Sequence, residues 1–179
     1  TSESVTEGHP DKLCDQISDA ILDEFIKNDP SARVACETAI TENSVFVIGE
    51  ITSNASVDIE KIVRKTILDI GYVDESIGIN GSTCDVTIAL KEQSSDIAIG
   101  VNQSFEVRNE TSKVDPYNLS GAGDQGMMIG FACNETAEFM PLTISLSHQI
   151  TRKLSELRHE KILPYLCPDG KAQVTIEYS

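Results

Sequence analysis

Residues Glu7-Gly8-His9-Pro10-Asp11-Lys12-Leu13-Cys14-Asp15-Gln16 decide how the chain is read. From Leu13 onward apolar residues recur at Leu13, Cys14, Ile17, Ala20, Ile21 and Phe25, the spacing of one buried helical face. Pro10 suits the first turn of such a helix because proline lacks the N–H that would be unpaired there. His9 then stands near the N-cap and Asp11 in the opening turn. Asn28-Asp29-Pro30 ends the helix. A helix N-terminus presents free backbone N–H groups and the positive end of the dipole, so phosphate can bind there and a neighbouring carboxylate can hold magnesium. The plainer reading is that Asp11 only complements the dipole and His9 is a loop residue.

Arg33 to Thr41 and Val45 to Thr52 flank Glu42-Asn43-Ser44 and read as an antiparallel hairpin. A two-residue turn at Asn43-Ser44 puts Glu42 opposite Val45 and Glu37 opposite Glu50. Carboxylates so placed are relieved by a cation, either a metal or a substrate ammonium group; otherwise one of them points to solvent or the register differs. Val57 to Ile70 is a second amphipathic helix with Gly71 as its stop. Cys84 to Leu90 is a strand, and Met127 to Phe131 is strand-like. Leu142 to His159 is a third helix with Leu142, Leu146, Ile150, Leu154 and Leu157 as its buried stripe, and with His148 and His159 at the surface. After a turn at Pro168-Asp169-Gly170, Lys171 introduces a strand in which Val174, Ile176 and Tyr178 share a face. This order predicts an α+β fold, with helices packed on one side of mostly antiparallel sheets.

The predicted organisation is a first α/β domain over residues 1–93, a loop over 94–120, and the start of a second, incomplete α/β domain over 121–179. The loop has no sustained period and is rich in Ser, Asn and charge, as a lid would be. Gly121-Ala-Gly-Asp-Gln-Gly126 satisfies the dinucleotide pattern in form only. It follows a polar loop rather than a hydrophobic strand, and Asp124 would repel a pyrophosphate. A carboxylate there better suits an amine or a ribose.

Twenty-nine Asp and Glu against 14 Lys and Arg give a net charge of −15, which argues against nucleic acid or an anionic membrane as partner. An acidic chain that binds a nucleotide needs metal ions and a few placed cations, and Lys12 and Lys171 are the candidates by position. Five cysteines without a C-x-x-C pair read as free thiols of a reducing compartment, the cytoplasm. No apolar run is long enough to span a bilayer. The start at Thr1, without an initiator Met, reads as a chain lacking its true beginning.

Several motifs in order resemble the S-adenosylmethionine synthetases (methionine adenosyltransferases): Thr1-Ser-Glu-Ser-Val-Thr-Glu-Gly-His-Pro-Asp-Lys12, Ala35-Cys-Glu-Thr38, Gly49-Glu-Ile-Thr52, Gln93-Ser94, Gly121-Ala-Gly-Asp-Gln-Gly126, Asn134-Glu-Thr136 with Met140-Pro141, and Leu163-Pro164 before Pro168-Asp169. The resemblance implies layered α/β sandwich domains and the joining of L-methionine to ATP with loss of phosphate and diphosphate. It implies His9 and Lys171 as catalytic residues, and His9, Asp169, Gly170 and Lys171 at ATP. Glu50, Gln93 and Asp124 would bind methionine, Asp11 magnesium and Glu37 potassium. It also implies a homodimer or dimer of dimers with active sites between subunits, and a mobile lid based at Gln93. Ser95, Ile99 and Cys167 depart from the residues common in that family, which are Pro, Gln and Arg. The family's chains are longer than this one, so residues 1–179 alone are expected to be inactive: Lys12 and Lys171 are too few cations for a triphosphate. Two other classes stay open, a catalytically silent truncated homologue acting as a binding or regulatory subunit, and a different magnesium-dependent ATP enzyme sharing only the helix start.

Overall fold

The computed structural model describes residues 1–92, 94, 107 and 126–179. Two compact units are present, one of residues 1–90 with 131–179 and one of 91–130. The first holds every sheet and helix that bears on the site.

Helix α1 (Pro10–Asn28), strands β2 (Arg33–Thr41) and β3 (Ser44–Thr52), helix α2 (Ile59–Ile70) and strand β4 (Asp85–Lys91) build one layer pair. The sheet order is β2-β3-β4, and β2 and β3 are antiparallel. Both helices follow their predicted periods. Leu13, Ile17, Ile21 and Phe25 of α1 meet Val63, Ile67 and Ile70 of α2 over Val45 and Val47 of β3, all nearly or wholly out of water. Each such side chain contributes about 1.5–3 kcal/mol on burial. Caps fix the helix ends: the Asp58 carboxylate accepts from the Lys61 N–H at 3.1 Å, and Gly71 closes α2 at φ 116°, a left-handed position that glycine alone adopts without strain.

The hairpin register differs from that read in the sequence. The turn is Glu42-Asn43, not Asn43-Ser44, so Thr41 faces Ser44, Glu37 faces Ile48 and Glu50 faces Ala35. Glu42 takes the positive φ of 35°, while the Asn43 carbonyl is used to accept the Asp85 N–H at 2.8 Å. Because the slip is by two residues, Glu37 and Glu50 still share a face and become diagonal neighbours.

A second, two-stranded sheet escaped the sequence reading in half. Strand β1 (Ser2–Val5) pairs antiparallel with β5 (Lys171–Val174), so the two ends of the chain lie side by side. Pairing stops at Ser2 with Val174, and the predicted continuation through Ile176 and Tyr178 is not a strand. Met127 to Phe131 is likewise not a strand; four of its side chains, Met127, Met128, Ile129 and Phe131, are 74–90% exposed.

Helix α3 (Leu142–His159) covers β1 and β5, but with the face one residue on from that predicted, about 100° round the helix. Thr143, Ser145, Ser147 and Thr151 are buried, while Leu142, Leu146, Leu154 and Leu157 are only half-buried and Ile150 is 45% exposed. Hydroxyls explain the rotation. Ser2 Oγ lies 2.8 Å from Thr143 Oγ1, and Ser4 Oγ 2.9 Å from Thr151 Oγ1, so short polar residues bring helix and ribbon close with their polar atoms paired. His148 and His159 are exposed as predicted. Among the described residues no helix is long and apolar enough to cross a membrane.

Ile67→Ala should cost about 2–5 kcal/mol, since it opens a cavity in a fully buried cluster. Ile150→Ala, despite its place on the apolar stripe, should cost under about 1 kcal/mol in residues 1–179. Urea unfolding of the two variants checks this; equal losses would put the stripe back inside.

Candidate active site

The α1 N-terminus is built as its sequence dictates. His9 is the N-cap in extended conformation, and its Nδ1 accepts the Asp11 backbone N–H at 3.3 Å. Nδ1 also lies 3.7 Å from Asp11 Oδ2, the histidine side chain being 22% and the aspartate 88% exposed. The ring therefore has one nitrogen engaged by the cap, which leaves Nε2 as the atom able to meet a ligand. Asp11 offers a solvated carboxylate over the positive end of the dipole. Lys12 turns away to Asp15, at 2.8 Å.

The segment before His9 is locked to a turn some 160 positions along the chain. Thr6 N–H donates to the Gly170 carbonyl at 2.8 Å, Gly8 N–H to the Pro168 carbonyl at 3.2 Å, and Thr6 Oγ1 to the Pro168 carbonyl at 2.7 Å. A side chain at Gly8 would overlap the backbone and Cβ of Pro168, so this contact admits glycine alone. The Tyr72 hydroxyl, buried, donates to the Gly8 carbonyl at 2.5 Å. Burial, and then the negative charge of Asp169, push that phenol up to about 12, so it stays a donor. The two predicted nucleotide motifs, His9 to Lys12 and Asp169 to Lys171, thus meet at one junction.

Glu7 is the second lock. Its Oε1 accepts from Ser155 Oγ at 2.8 Å, from Arg158 Nη2 and from His159 Nε2 at 2.9 Å, and its carbonyl accepts from Gln16 Nε2 at 2.7 Å. Burial pushes the Glu7 carboxyl up, but the hydrogen bonds, led by that of Arg158, outweigh it and hold the group at about 2. No spacing rule would have revealed this residue, because its partners lie on the last turns of α3.

Lys171 opens β5 and pairs with Glu3 Oε2 at 2.7 Å, both side chains about half exposed. In the antiparallel register these two are diagonal on the ribbon face away from α3. Glu3 was absent from the sequence-predicted site, and only the pairing of β1 with β5 exposes it. An open groove of about 620 Å³ runs beside this ribbon, bordered by Glu3, Lys12, His148 and Arg152 among others. Asp169 lines a smaller cleft of about 260 Å³ with Gly8, Pro10, Thr41, Glu42 and Tyr72.

Glu37 and Glu50 do not join this group. Helix α1 packs on β2 through Thr38, whose Oγ1 lies 2.9 Å from Ser18 Oγ, whereas Glu37 is exposed on the opposite face. Thr41 lies at the α1 N-terminus; Glu50 faces Ala35, which is about 20 Å back along the strand at ~3.3 Å per residue. Neither glutamate has an ion-pair partner among the described residues. Phe46 and Ile48, 40% and 49% exposed, share their face. Gln93 and Asp124, predicted to bind methionine, lie outside the described residues, as do the lid residues 95–106 and 108–120. Among the described residues no three His, Cys, Asp or Glu side chains group as a complete metal site. A lone exposed carboxylate such as Asp11 fits magnesium, which commonly takes one or two protein carboxylates with substrate phosphates and water. All five cysteines are free, and Cys167 is exposed.

Gly8→Ala should lower stability by about 1–3 kcal/mol by forcing the junction open. The check is a reduced denaturant midpoint at unchanged slope; an unaltered midpoint would mean the junction tolerates a side chain.

Comparison with known proteins agrees along the chain. Residues 1–95 match the family model described as S-adenosylmethionine synthetase, N-terminal domain, and residues 119–179 the one described as S-adenosylmethionine synthetase, central domain. A Roseiflexus castenholzii protein named S-adenosylmethionine synthase is 60% identical over 181 residues, covering 100% of this chain and 45% of the relative. Proteins of the same name from Clostridium tetani and Pseudothermotoga lettingae are 57% and 58% identical, covering 99% and 100% of this chain. The chain spans 45% of the length of each of these curated relatives.

Proposed function

Since the chain belongs to the S-adenosylmethionine synthetase family, we propose that it forms the amino-terminal part of a cytoplasmic methionine adenosyltransferase acting on ATP and L-methionine. The observation that carries this reading is the junction itself: the His9-capped helix start and the Asp169-Gly170-Lys171 turn, distant in sequence, are locked together by backbone hydrogen bonds.

In the proposed reaction the methionine sulfur attacks the ribose C5′ carbon, a new S–C5′ bond forms, and the C5′–O bond to the triphosphate breaks with the electron pair leaving on oxygen. Water then cleaves the triphosphate to phosphate and diphosphate. A thioether sulfur carries its own lone pair and needs no base, so the protein's work is alignment and stabilisation of charge growing on the leaving oxygen. His9, with Nδ1 committed to the helix cap, donates from Nε2 toward that charge. Lys171 exchanges its exposed partner Glu3 for a phosphate oxygen, while Asp169 and Gly170 hold the nucleotide. Asp11 would hold magnesium, which neutralises phosphate charge when bound.

Glu50, with Gln93 and Asp124, positions methionine by pairing its carboxylate with the ammonium group. Glu37, diagonal to Glu50 on the same sheet face, would hold potassium, whose charge relieves the two carboxylates. The separation of Glu50 from His9 supports a site completed between two copies of the chain in a homodimer or dimer of dimers. The apolar strip at Phe46 and Ile48 offers a surface for that pairing.

His9→Ala in the complete enzyme should lower the rate of S-adenosylmethionine formation by roughly two or more orders of magnitude, the scale of losing a transition-state donor, with methionine affinity changed far less. Chromatographic assay of the product checks this, and near-normal turnover would remove His9 from the chemistry.

Glu50→Gln should raise the methionine Michaelis constant more than that for ATP. Mixed dimers of His9→Ala and Glu50→Gln subunits should work at low methionine concentration where neither parent does, because one site per dimer is then intact. Failure of verified heterodimers to recover activity would place both residues in one subunit's site.

A further inference from the structure

We infer that Glu7 and Arg158 form a positioning pair that sets where the His9 imidazole stands, so that the end of α3 takes part in the reaction without touching substrate. The inference rests on the proposed role of His9.

Every residue from Thr6 to His9 is tied down by hydrogen bonds. Thr6 and Gly8 are held by backbone bonds to the 168–170 turn, Gly8 also by Tyr72, and His9 by its own cap. Between them, Glu7 alone is held through an ionised side chain. One of its oxygens collects Ser155, Arg158 and His159, while its carbonyl is drawn to Gln16 on α1. Glu7 therefore spans from α3 to α1, two residues before the imidazole.

The pair is shielded, with the Arg158 side chain 14% and the Glu7 side chain 23% exposed. A shielded pair differs from a surface one: removing either partner leaves a charge with poor hydration, which the backbone relieves by moving. Arg158 also packs against the α2 cap, where a side chain at Gly71 would lie 2.7 Å from its Nη1. The guanidinium thus sits between the ends of α3 and α2, and without Glu7 the loop that leads to His9 loses its tie to α3. The Thr6 and Gly8 backbone bonds survive the loss of Glu7, so the fold persists while the loop tilts. Catalysis by a positioned donor is sensitive to displacements of about 1 Å, on the order of 100-fold in rate.

The test measures kcat, the methionine KM and the melting temperature of the complete enzyme for Glu7→Gln, Arg158→Met and the double variant, each with and without His9→Ala. Expected are kcat losses of about 10- to 100-fold for each single variant, KM within about twofold, and a double variant no slower than the slower single. In the His9→Ala background Glu7→Gln should cause no further loss. Should Glu7→Gln not fold, Glu7→Asp keeps the charge but withdraws it by one methylene, and the same epistasis is expected of it. A full additional loss on top of His9→Ala, or wild-type kcat in a folded Glu7 variant, overturns the inference. Near-normal turnover of His9→Ala alone instead overturns the reading of His9 beneath it.

Discussion

The close approach of Gly8 to Pro168 is the constraint on which the rest depends. It brings the start of the chain against a turn that follows α3, and only a residue without Cβ permits it. From that contact the remaining geometry follows: β1 must run beside β5, α3 must lie across both, and the α1 N-terminus must open beside Asp169. The large apolar cluster of α1, α2 and β3 supplies stability but could exist without the junction. Most of the apolar burial and the site are thus carried by two sets of contacts that share α1 and Tyr72.

α3 shows how periodicity can mislead. Its leucines repeat at helical spacing, and a rule that sends apolar stripes inward assigns them to the core. Serine and threonine on the adjoining face win because β1 offers Ser2 and Ser4 as partners, and because short side chains let the helix sit low on a narrow ribbon. Further buried hydroxyls bond within the helix, as Ser147 Oγ does to the Ile144 carbonyl at 3.0 Å. Among the described residues no buried side-chain nitrogen or oxygen is left without a partner, so a polar interface costs little here.

Local features were legible where local physics decides them. The α1 cap, the stop at Asn28-Asp29 and the glycine end of α2 all follow from backbone chemistry within a few residues. The hairpin was legible as a hairpin but not in register, because Asn43 is the residue one would place at a positive φ and Glu42 takes it instead. Glu3, Glu7 and Tyr72 were illegible for a different reason. Each acts through a partner at least 60 positions away, and such pairings follow from topology rather than from spacing. Glu37 and Glu50 were found as residues, but their distance from His9 appears only once the hairpin carrying them is laid beneath α1.

An acidic chain, of net charge −15, is proposed to receive a polyanion. Both cations named by position are already neutralised, Lys12 by Asp15 and Lys171 by Glu3. These pairs are 49–61% exposed, and exposed pairs are worth only about 0–1 kcal/mol. A phosphate oxygen can therefore replace either carboxylate at little cost, the freed carboxylate being hydrated or taken up by a bound cation. The Glu7–Arg158 pair is shielded, and exchanging its partner would strand a charge away from water. Solvent exposure thus sorts the ion pairs of this region into those that can open to a ligand and the one that keeps the loop in place while they do.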